Sequence, residues 1–363
     1  MGTFMREWVS LYESKSGERG IFNRESAKKQ AAKNGRRDVE HDFGCNPCSE
    51  IILRPYQFCN LSEVVARAGD TEHTLATKVG LATILGTFQS TMTNFKYIRK
   101  IWQKNTEEER LLGVSLTGIM DNEMLSGNSA TLGKNIGATL ELLREVAVQT
   151  NKGMAKKLDI PQSTAITCVK PSGTVSQLVD SASGIHARHN PHYIRTVRGD
   201  NKDPLTQFLI SEGIPAEPDV MKPDSTTVFS FPMKSPNAAV TRTEMTAIEQ
   251  LDLWLLYQRH WCEHKPSVTI SVKENEWMSV GSWVYEHFDE VSGISFLPFS
   301  DHTYAQAPYQ DCTKDEYKEM LAKMPKAVNW NKLSDFEKED TTSGGRELAC
   351  TAGVCEVVDL TAA

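Results

Sequence analysis

The stretch Cys45-Asn46-Pro47-Cys48-Ser49-Glu50, with Cys59 nine residues beyond Glu50, gathers three thiols and a carboxylate into one short, poorly periodic segment. A thiol becomes chemically useful as its thiolate or, given a radical initiator, as a thiyl radical. Glu50, two residues from Cys48, projects to the same side of an extended loop tip and can serve as a base. Asn46 offers a donor and an acceptor that could orient a hydroxyl. A turn holding ordinary buried cysteines is the competing reading, and the pattern does not separate thiyl from thiolate chemistry. A second pair, Cys350 and Cys355, brackets Thr351-Ala352-Gly353-Val354 in a Gly-rich tail. Four spacers with a glycine let the chain fold back to the Cα separation of about 4.4–6.8 Å that a disulfide needs. Such a dithiol can carry electrons into a closed site; incidental tail thiols are the alternative.

Composition bounds the remaining choices. The 363 residues, 39% hydrophobic and 24% charged with net charge -7, suffice for one large α/β domain or two smaller ones. No Lys/Arg block marks a nucleic-acid groove, and no apolar run reaches the ~18 residues of a membrane span, so neither partner is expected. The opening Met1-Gly2-Thr3-Phe4-Met5-Arg6 leads into a mixed polar segment without a secretory apolar core, and a cytoplasmic, mostly reduced protein is expected. Cys45-Asn46-Pro47-Cys48 has the CxxC spacing of a zinc pair, but no second such pair accompanies it, so no metal site is assigned.

Along the chain, the spacing predicts the end of an amphipathic helix at Trp8–Leu11, a turn at Ser16–Gly20, and a solvated helix or loop over Asn23–Asn34. A strand is predicted at Cys59–Val65, helix over Thr71–Gln103, a strand at Arg110–Gly118 and helix over Lys134–Lys157. Ser163–Val169 reads as a buried strand, Thr226–Phe231 as a strand stopped by Pro232, Glu244–Trp261 as helix, Ser267–Val272 as strand and Glu274–Phe288 as helix. Strands separated by helical stretches are the pattern of a mostly parallel sheet with helices outside it.

The run Pro171-Ser172-Gly173-Thr174-Val175-Ser176 follows the 163–169 strand. Glycine lets the backbone turn close to a ligand, and hydroxyls and free N–H groups open the next helix, which suits a phosphate. An ordinary helix cap is the alternative, since the turn lacks the Walker lysine and the dinucleotide glycine fingerprint. Ser183–His189, His192, Arg195 and Arg198 read as a basic loop that lines a phosphate or cofactor cleft or is merely solvated, and Tyr304–Tyr309 as an aromatic loop capping a sheet end.

Taken together, these segments resemble the ribonucleotide reductases, and among them the adenosylcobalamin-dependent (class II), monomeric ribonucleoside-triphosphate reductase type. The resemblance rests on Asn46–Ile51 with Cys59, Ser16–Asn23, Pro171–Ser176, Ser267–Val272, Gly293–Pro298, Tyr304–Tyr309 and the Cys350/Cys355 tail. It implies an α/β fold, the second half of a ten-stranded α/β barrel. Residues 1–340 would form that half, with a finger loop at about 42–60, and residues 341–363 a flexible redox-active tail. It implies that Cys48 carries the thiyl radical that removes the ribose 3'-hydrogen, that Glu50 takes the 3'-hydroxyl proton and that Asn46 holds that hydroxyl. Cys59 would be one of two thiols that reduce the 2'-position. Cys350 and Cys355 would re-reduce the resulting disulfide and be recharged by thioredoxin or a similar dithiol protein. Pro171, Ser172, Gly173, Thr174, Val175 and Ser176 would hold the substrate phosphates, adenosylcobalamin would be the cofactor, and the overall match leans toward triphosphates.

The finger loop arrives already at residue 48, so the resemblance also implies that this is the C-terminal, catalytic-cysteine half. A separate N-terminal-half chain would supply the partner of Cys59 and the specificity site. A non-catalytic nucleotide-binding or regulatory subunit of a reductase complex is the alternative. A glycyl-radical reductase is disfavoured by the dithiol that follows Gly344-Gly345, and an iron-dependent type would be separated by a cobalamin assay. Replacing Cys350 or Cys355 by Ser should leave the first turnover of the pre-reduced, assembled enzyme intact and stop thioredoxin-supported multiple turnover. Single-turnover product yield checks this, and a variant without first-turnover product would give the tail a role beyond electron shuttling.

Overall fold

The computed structural model describes residues 1–16, 19–127, 136–299 and 305–337. Two compact units divide them, one from residues 1–188 and 238–299, the other from the described residues of 189–237 and 300–363. In the first unit every residue of β5 (Leu112–Thr117) is buried. Such a run without alternation fits a strand covered on both faces. β4 (Asn60–Val65) and β6 (Thr167–Cys168) flank it in parallel. A parallel bridge from Val169 to Pro266 carries the order to β10 (Thr269–Val272), which pairs parallel with β11 (Gly293–Pro298). β1 (Gly20–Phe22) lies antiparallel on β11. The row is therefore β4-β5-β6-β10-β11-β1, with five parallel strands. A two-stranded hairpin, β2 (Gly44–Cys45) and β3 (Ile52–Leu53), stands apart from it.

Parallel neighbours need crossovers, and helices supply them. They are α3 (Glu72–Gln89) and α4 (Lys100–Glu109) before β5, α5 (Ile136–Leu158) before β6, α8 (Ala247–His260) before β10 and α9 (Trp277–Glu286) before β11. The core collects Leu75 and Val79 of α3, Leu140 and Leu143 of α5, and Leu251 and Trp254 of α8. Trp254 and Trp261 are fully buried, yet their indole N–H groups donate to Pro266 O at 2.9 Å and Cys168 O at 2.7 Å. These bonds satisfy the polar edge of each ring at the junction of β6 and β10. α1 (Gly2–Ser14) buries Trp8, and α2 (Arg24–Ala32) starts at Asn23, whose side chain accepts from the Glu25 and Ser26 N–H groups. The short α6 (Val175–Leu178) follows the 171–174 turn.

The second unit is an antiparallel sheet of order β12-β7-β9-β8, formed by β7 (His192–Asp200), β8 (Ala216–Pro218), β9 (Thr226–Lys234) and β12 (Tyr309–Asp311). α7 (Pro204–Ser211), α10 (Lys314–Lys323) and α11 (Leu333–Phe336) belong to the same unit.

Four expectations change. The helix predicted over 71–103 is two helices, because Ser90 and Thr91 hydroxyls donate back to the Thr87 and Phe88 carbonyls and end α3. The 23–34 segment is not merely solvated, since Ala27 and Ala31 of α2 are buried. The 163–169 strand keeps only two ladder residues. Pro232 does not stop its strand: β8 pairs only with residues 227–229 of β9, so at Pro232 the strand has a neighbour on one side and its missing donor goes unneeded. Gly17, Glu18, Tyr304 and the expected tail, with Cys350 and Cys355, lie outside the described residues. No helix among the described residues is long and apolar enough to cross a membrane.

Gly113, inside β5, is where a side chain has no room. A Cβ there would run into Leu61 Cδ2 and lie 3.0 Å from Ile51 Cδ1 and 3.3 Å from Cys59 Sγ. Gly113→Ala should therefore cost about 1–3 kcal/mol of stability, as overpacked core positions do. Urea unfolding measures it; an unchanged midpoint would mean that the hairpin and Cys59 are not packed on β5 as described.

Candidate active site

The hairpin tip is built by its own turn chemistry. Ser49 N–H donates to Asn46 O at 2.8 Å, with Pro47 at the position where its fixed φ suits a turn and Cys48 next to it. Ser49 takes a left-handed φ of 65°. Ile51 N–H donates to Asn46 Oδ1 at 3.0 Å, so the amide oxygen of Asn46 is committed to the loop. Among the described residues its amide nitrogen has no protein partner, which leaves Asn46 able to donate. Cys48 is exposed at the tip, and its carbonyl accepts from Ser267 Oγ at 2.6 Å. Glu50, two residues on, is fully buried.

Cys48 and Pro171 line one cleft of about 300 Å³, together with Ser267–Thr269, Gly293–Ser295 and Gly20–Phe22. The predicted radical thiol and the start of the predicted phosphate turn thus face one space. Glu50 does not line it, but the Lys170 ammonium donates to Glu50 Oε1 at 2.8 Å, and Lys170 immediately precedes Pro171. Glu50 Oε2 is buried without a hydrogen-bond partner among the described residues. Burial first, then the Glu50 charge, pushes the Cys48 thiol up, with Lys170 partly offsetting them. Burial and Glu50 push Cys59 up much further. Burial opposes the Lys170 charge, but the hydrogen bond to Glu50 and the charges of Glu50, Cys168 and Cys48 together hold Lys170 above its ordinary value.

The phosphate turn is less free than its sequence suggests. Ser172, at φ 55°, donates to Glu63 Oε2 at 2.8 Å, and the buried Ser176 hydroxyl bonds Ser172 O and Ser183 Oγ. Gly173, Thr174 and Val175 are exposed, and among the described residues their backbone N–H groups are unpaired. The helix behind them has four residues, so the donors to an anion are these N–H groups and Thr174 Oγ1 rather than a helix dipole. Arg188 is buried against Asp121, the His186 ring accepts from Thr269 N–H, and His192, Arg195 and Arg198 lie on β7 of the second unit.

Sequence reasoning passed over Lys170, Glu63, His264 and Lys265. The last two lie in Cys262-Glu263-His264-Lys265-Pro266, a polar run between a helix and a buried strand, and both are fully buried. That placement is the signal that could have found them. His264 Nδ1 accepts from Ile52 N–H at 3.3 Å while Nε2 pairs with Leu112 O at 3.0 Å. Lys265 donates to Ser49 Oγ at 2.7 Å and lies 4.6 Å from the Phe22 ring centroid. Gly293 makes room for it, since a Cβ there would come within 2.7 Å of both Lys265 Nζ and Ser49 Oγ.

No family model matches the sequence. Curated relatives do. An adenosylcobalamin-dependent ribonucleoside-triphosphate reductase of Euglena gracilis is 28% identical over 332 residues, 89% of this chain and 43% of that protein. The enzyme of the same description from Lactobacillus gasseri is 26% identical over 381 residues, 94% of this chain and 49% of that protein. A crystal structure of a B-12-dependent (class II) ribonucleotide reductase superposes with a TM-score of 0.76 at 22% identity, covering 94% of this chain and 50% of that one. The chain is a homologue of the class II ribonucleotide reductases. It spans about half the length of the curated relatives it matches. An Actinobacillus ureae class Id ribonucleotide reductase alpha subunit is more distant, with a TM-score of 0.55 at 15% identity over 82% of this chain and 61% of that one.

Within this reductase homologue, burial holds Lys265 at about 8, against the ordinary 10.5. Between those values the unfolded chain binds more protons than the folded one, so this group's contribution to stability rises with pH, by roughly 3 kcal/mol across the window. The unfolding free energy of wild type minus that of Lys265→Met should therefore become more positive from about pH 7.5 to about pH 10.5. Urea titrations at both ends check it, and a flat difference would refute the burial of a titrating Lys265.

Proposed function

We propose that this chain carries the catalytic half of a ribonucleotide reductase that converts ribonucleoside phosphates, triphosphates in the first instance, to 2'-deoxyribonucleotides. The observation that carries it is the shared cleft: an exposed thiol at a hairpin tip faces the start of a turn with free N–H donors, and a buried carboxylate is tied to that turn through Lys170. In this reading Cys48, as a thiyl radical, removes the 3'-hydrogen. Glu50 accepts the 3'-hydroxyl proton at Oε2, and the Asn46 amide donates to the substrate's 3'-oxygen. The 2'-hydroxyl leaves as water, Cys59 and a second thiol from outside this chain give up two electrons and two protons and become a disulfide, and Glu50 and Cys48 return the proton and the hydrogen atom to the 3'-position. Cys350 and Cys355 reduce that disulfide, and a thioredoxin-like dithiol recharges them. The turn at 171–176 holds the phosphates through the Gly173, Thr174 and Val175 N–H groups.

Adenosylcobalamin, when bound, supplies the radical. The exposed position of Cys48 fits such a group, because a bulky initiator has access to the sulfur from outside the strands. The chain's own task is to present Cys48 and to keep Glu50 and the reducing thiol Cys59 back from solvent.

We further propose that the five parallel strands are completed to ten by a complementary N-terminal half. In support, β4 is the outer strand of its row, and α3 beside it exposes Leu81, Leu85 and Phe88 at helical spacing, each at least 46% exposed, followed by Met92. An open strand edge beside an apolar stripe invites a partner. The chain alone should give no reductase activity, and adding the complementary half should restore adenosylcobalamin-dependent turnover that Cys48→Ser abolishes. Deoxynucleotide assays decide it. Turnover by the chain alone would sink the half-barrel proposal, and unchanged turnover in Cys48→Ser would favour a non-catalytic subunit.

A further inference from the structure

Glu50 poses a problem that its own loop does not solve. A fully buried carboxyl without a cation gives up its charge, and a neutral acid cannot take a proton. Charged and titratable groups face it from every side. Cys48 lies on its own hairpin, Cys59 just beyond, Glu63 on β4, Cys168 on β6, Lys170 after β6 and Lys265 before β10. Two of these are cations. Lys265 spends its ammonium on Ser49 Oγ and reaches Glu50 only through its backbone N–H, which donates to the Glu50 carbonyl at 3.1 Å. Lys170 alone among the described residues places an ammonium on the carboxylate.

Lys170 is itself held at both ends. Its N–H donates to Ser115 Oγ at 2.9 Å, and Ser115 lies in the centre of the buried β5. Ser115 Oγ in turn lies 3.5 Å from Glu63 Oε1, and the other oxygen of Glu63 accepts from Ser172. Lys170 and Ser172, the two neighbours of Pro171, are thus each bound to a carboxyl, the buried Glu50 for one and the half-buried Glu63 for the other. Any displacement of the turn by a bound phosphate reaches Glu50 through one side chain.

We propose that Lys170 is a positioning residue: it keeps Glu50 ionised by occupying Oε1, leaves Oε2 as the open acceptor, and ties that base to the turn at 171–176. The proposal rests on the reading of Glu50 as the proton acceptor. The proton taken from the substrate rests on Glu50 until it returns to the 3'-oxygen of the product, and Lys170 keeps its own throughout.

Infrared difference spectra of the purified chain test it without turnover, with Glu50→Gln assigning the Glu50 bands. Wild type at neutral pH should show a Glu50 carboxylate band. Lys170→Met, and Lys170→Gln as its milder companion, should replace it with the carbonyl band of a protonated acid, and Lys170→Arg should retain the carboxylate. In the assembled enzyme Lys170→Met should lower kcat at least about tenfold at neutral pH with a much smaller change in KM. Its loss should shrink as pH is raised, and Lys170→Arg should restore most of the rate. A Glu50 carboxylate that persists in both neutral variants would overturn the proposal. So would an arginine variant as impaired as the methionine one, or failure of both neutral variants to fold while Lys170→Arg folds, which would make the pair a stability element. An assembled enzyme without any reductase activity would sink the functional reading instead, and the infrared result would still decide the role of Lys170.

Discussion

A ladder of two residues per strand cannot hold a hairpin in place, and everything proposed for this chain depends on where the β2–β3 hairpin sits. The constraint that fixes it is a pair of buried polar groups gripping Ile52. His264 accepts the Ile52 N–H and pairs with Leu112 O on β5 through its other nitrogen, while Arg37 donates to the Ile52 carbonyl at 2.9 Å. Both grips need fixed protonation. Burial, with Arg37 nearby, keeps the His264 imidazole neutral, so that one nitrogen can accept while the other donates. Arg37 keeps its charge within a bidentate pair with Glu109, at 2.8 and 2.9 Å. Loss of either partner would strand a buried charge, which costs far more than the pair contributes. The hairpin is thus anchored to the strand row by bonds that are expensive to break singly.

With the hairpin fixed, the handling of charge at its tip follows. Two carboxyls, the buried Glu50 and the half-buried Glu63, are each bound by a residue flanking Pro171. Burial pushes Glu63 toward its neutral form, with the Ser172 hydrogen bond offsetting part of the effect. If the turn holds phosphates, as proposed, it gains from having one of its two supporting carboxyls less inclined to ionise. Lys265 contributes in a different way: its buried ammonium holds the Ser49 hydroxyl and keeps the tip in its left-handed turn beside Gly293.

Much of this was legible in the sequence, and the limits have physical reasons. The alternation of apolar runs and helical periodicity announced the parallel row, because strands covered on both faces carry no polar face to confuse the reading. Cys48, Glu50 and Asn46 stood out because they are contiguous, and the structure does place them on one hairpin tip. Pro171 was legible as part of a turn, and it lines the cleft with Cys48. Lys170, Glu63, His264 and Lys265 were not, since a polar residue looks solvated in the sequence until its partner, more than a hundred residues away in each case, is known. Ser172 and Ser176 were read as ligand hydroxyls, yet both are consumed within the protein, and no local pattern distinguishes a hydroxyl that faces a ligand from one that braces a turn.

The two thiols of the hairpin region receive opposite treatment, and their difference follows from the same packing. Cys48 is exposed at the hairpin tip, where burial and the Glu50 charge disfavour its thiolate. Cys59 lies directly before β4, against the bare backbone of Gly113, where burial and the Glu50 charge keep it protonated. A thiol that must lose a hydrogen atom to an external radical needs access. A thiol that must hold its proton and electrons until substrate arrives needs shelter. Gly113 leaves the room that Cys59 uses beside β5, because a Cβ there would lie only 3.3 Å from Cys59 Sγ.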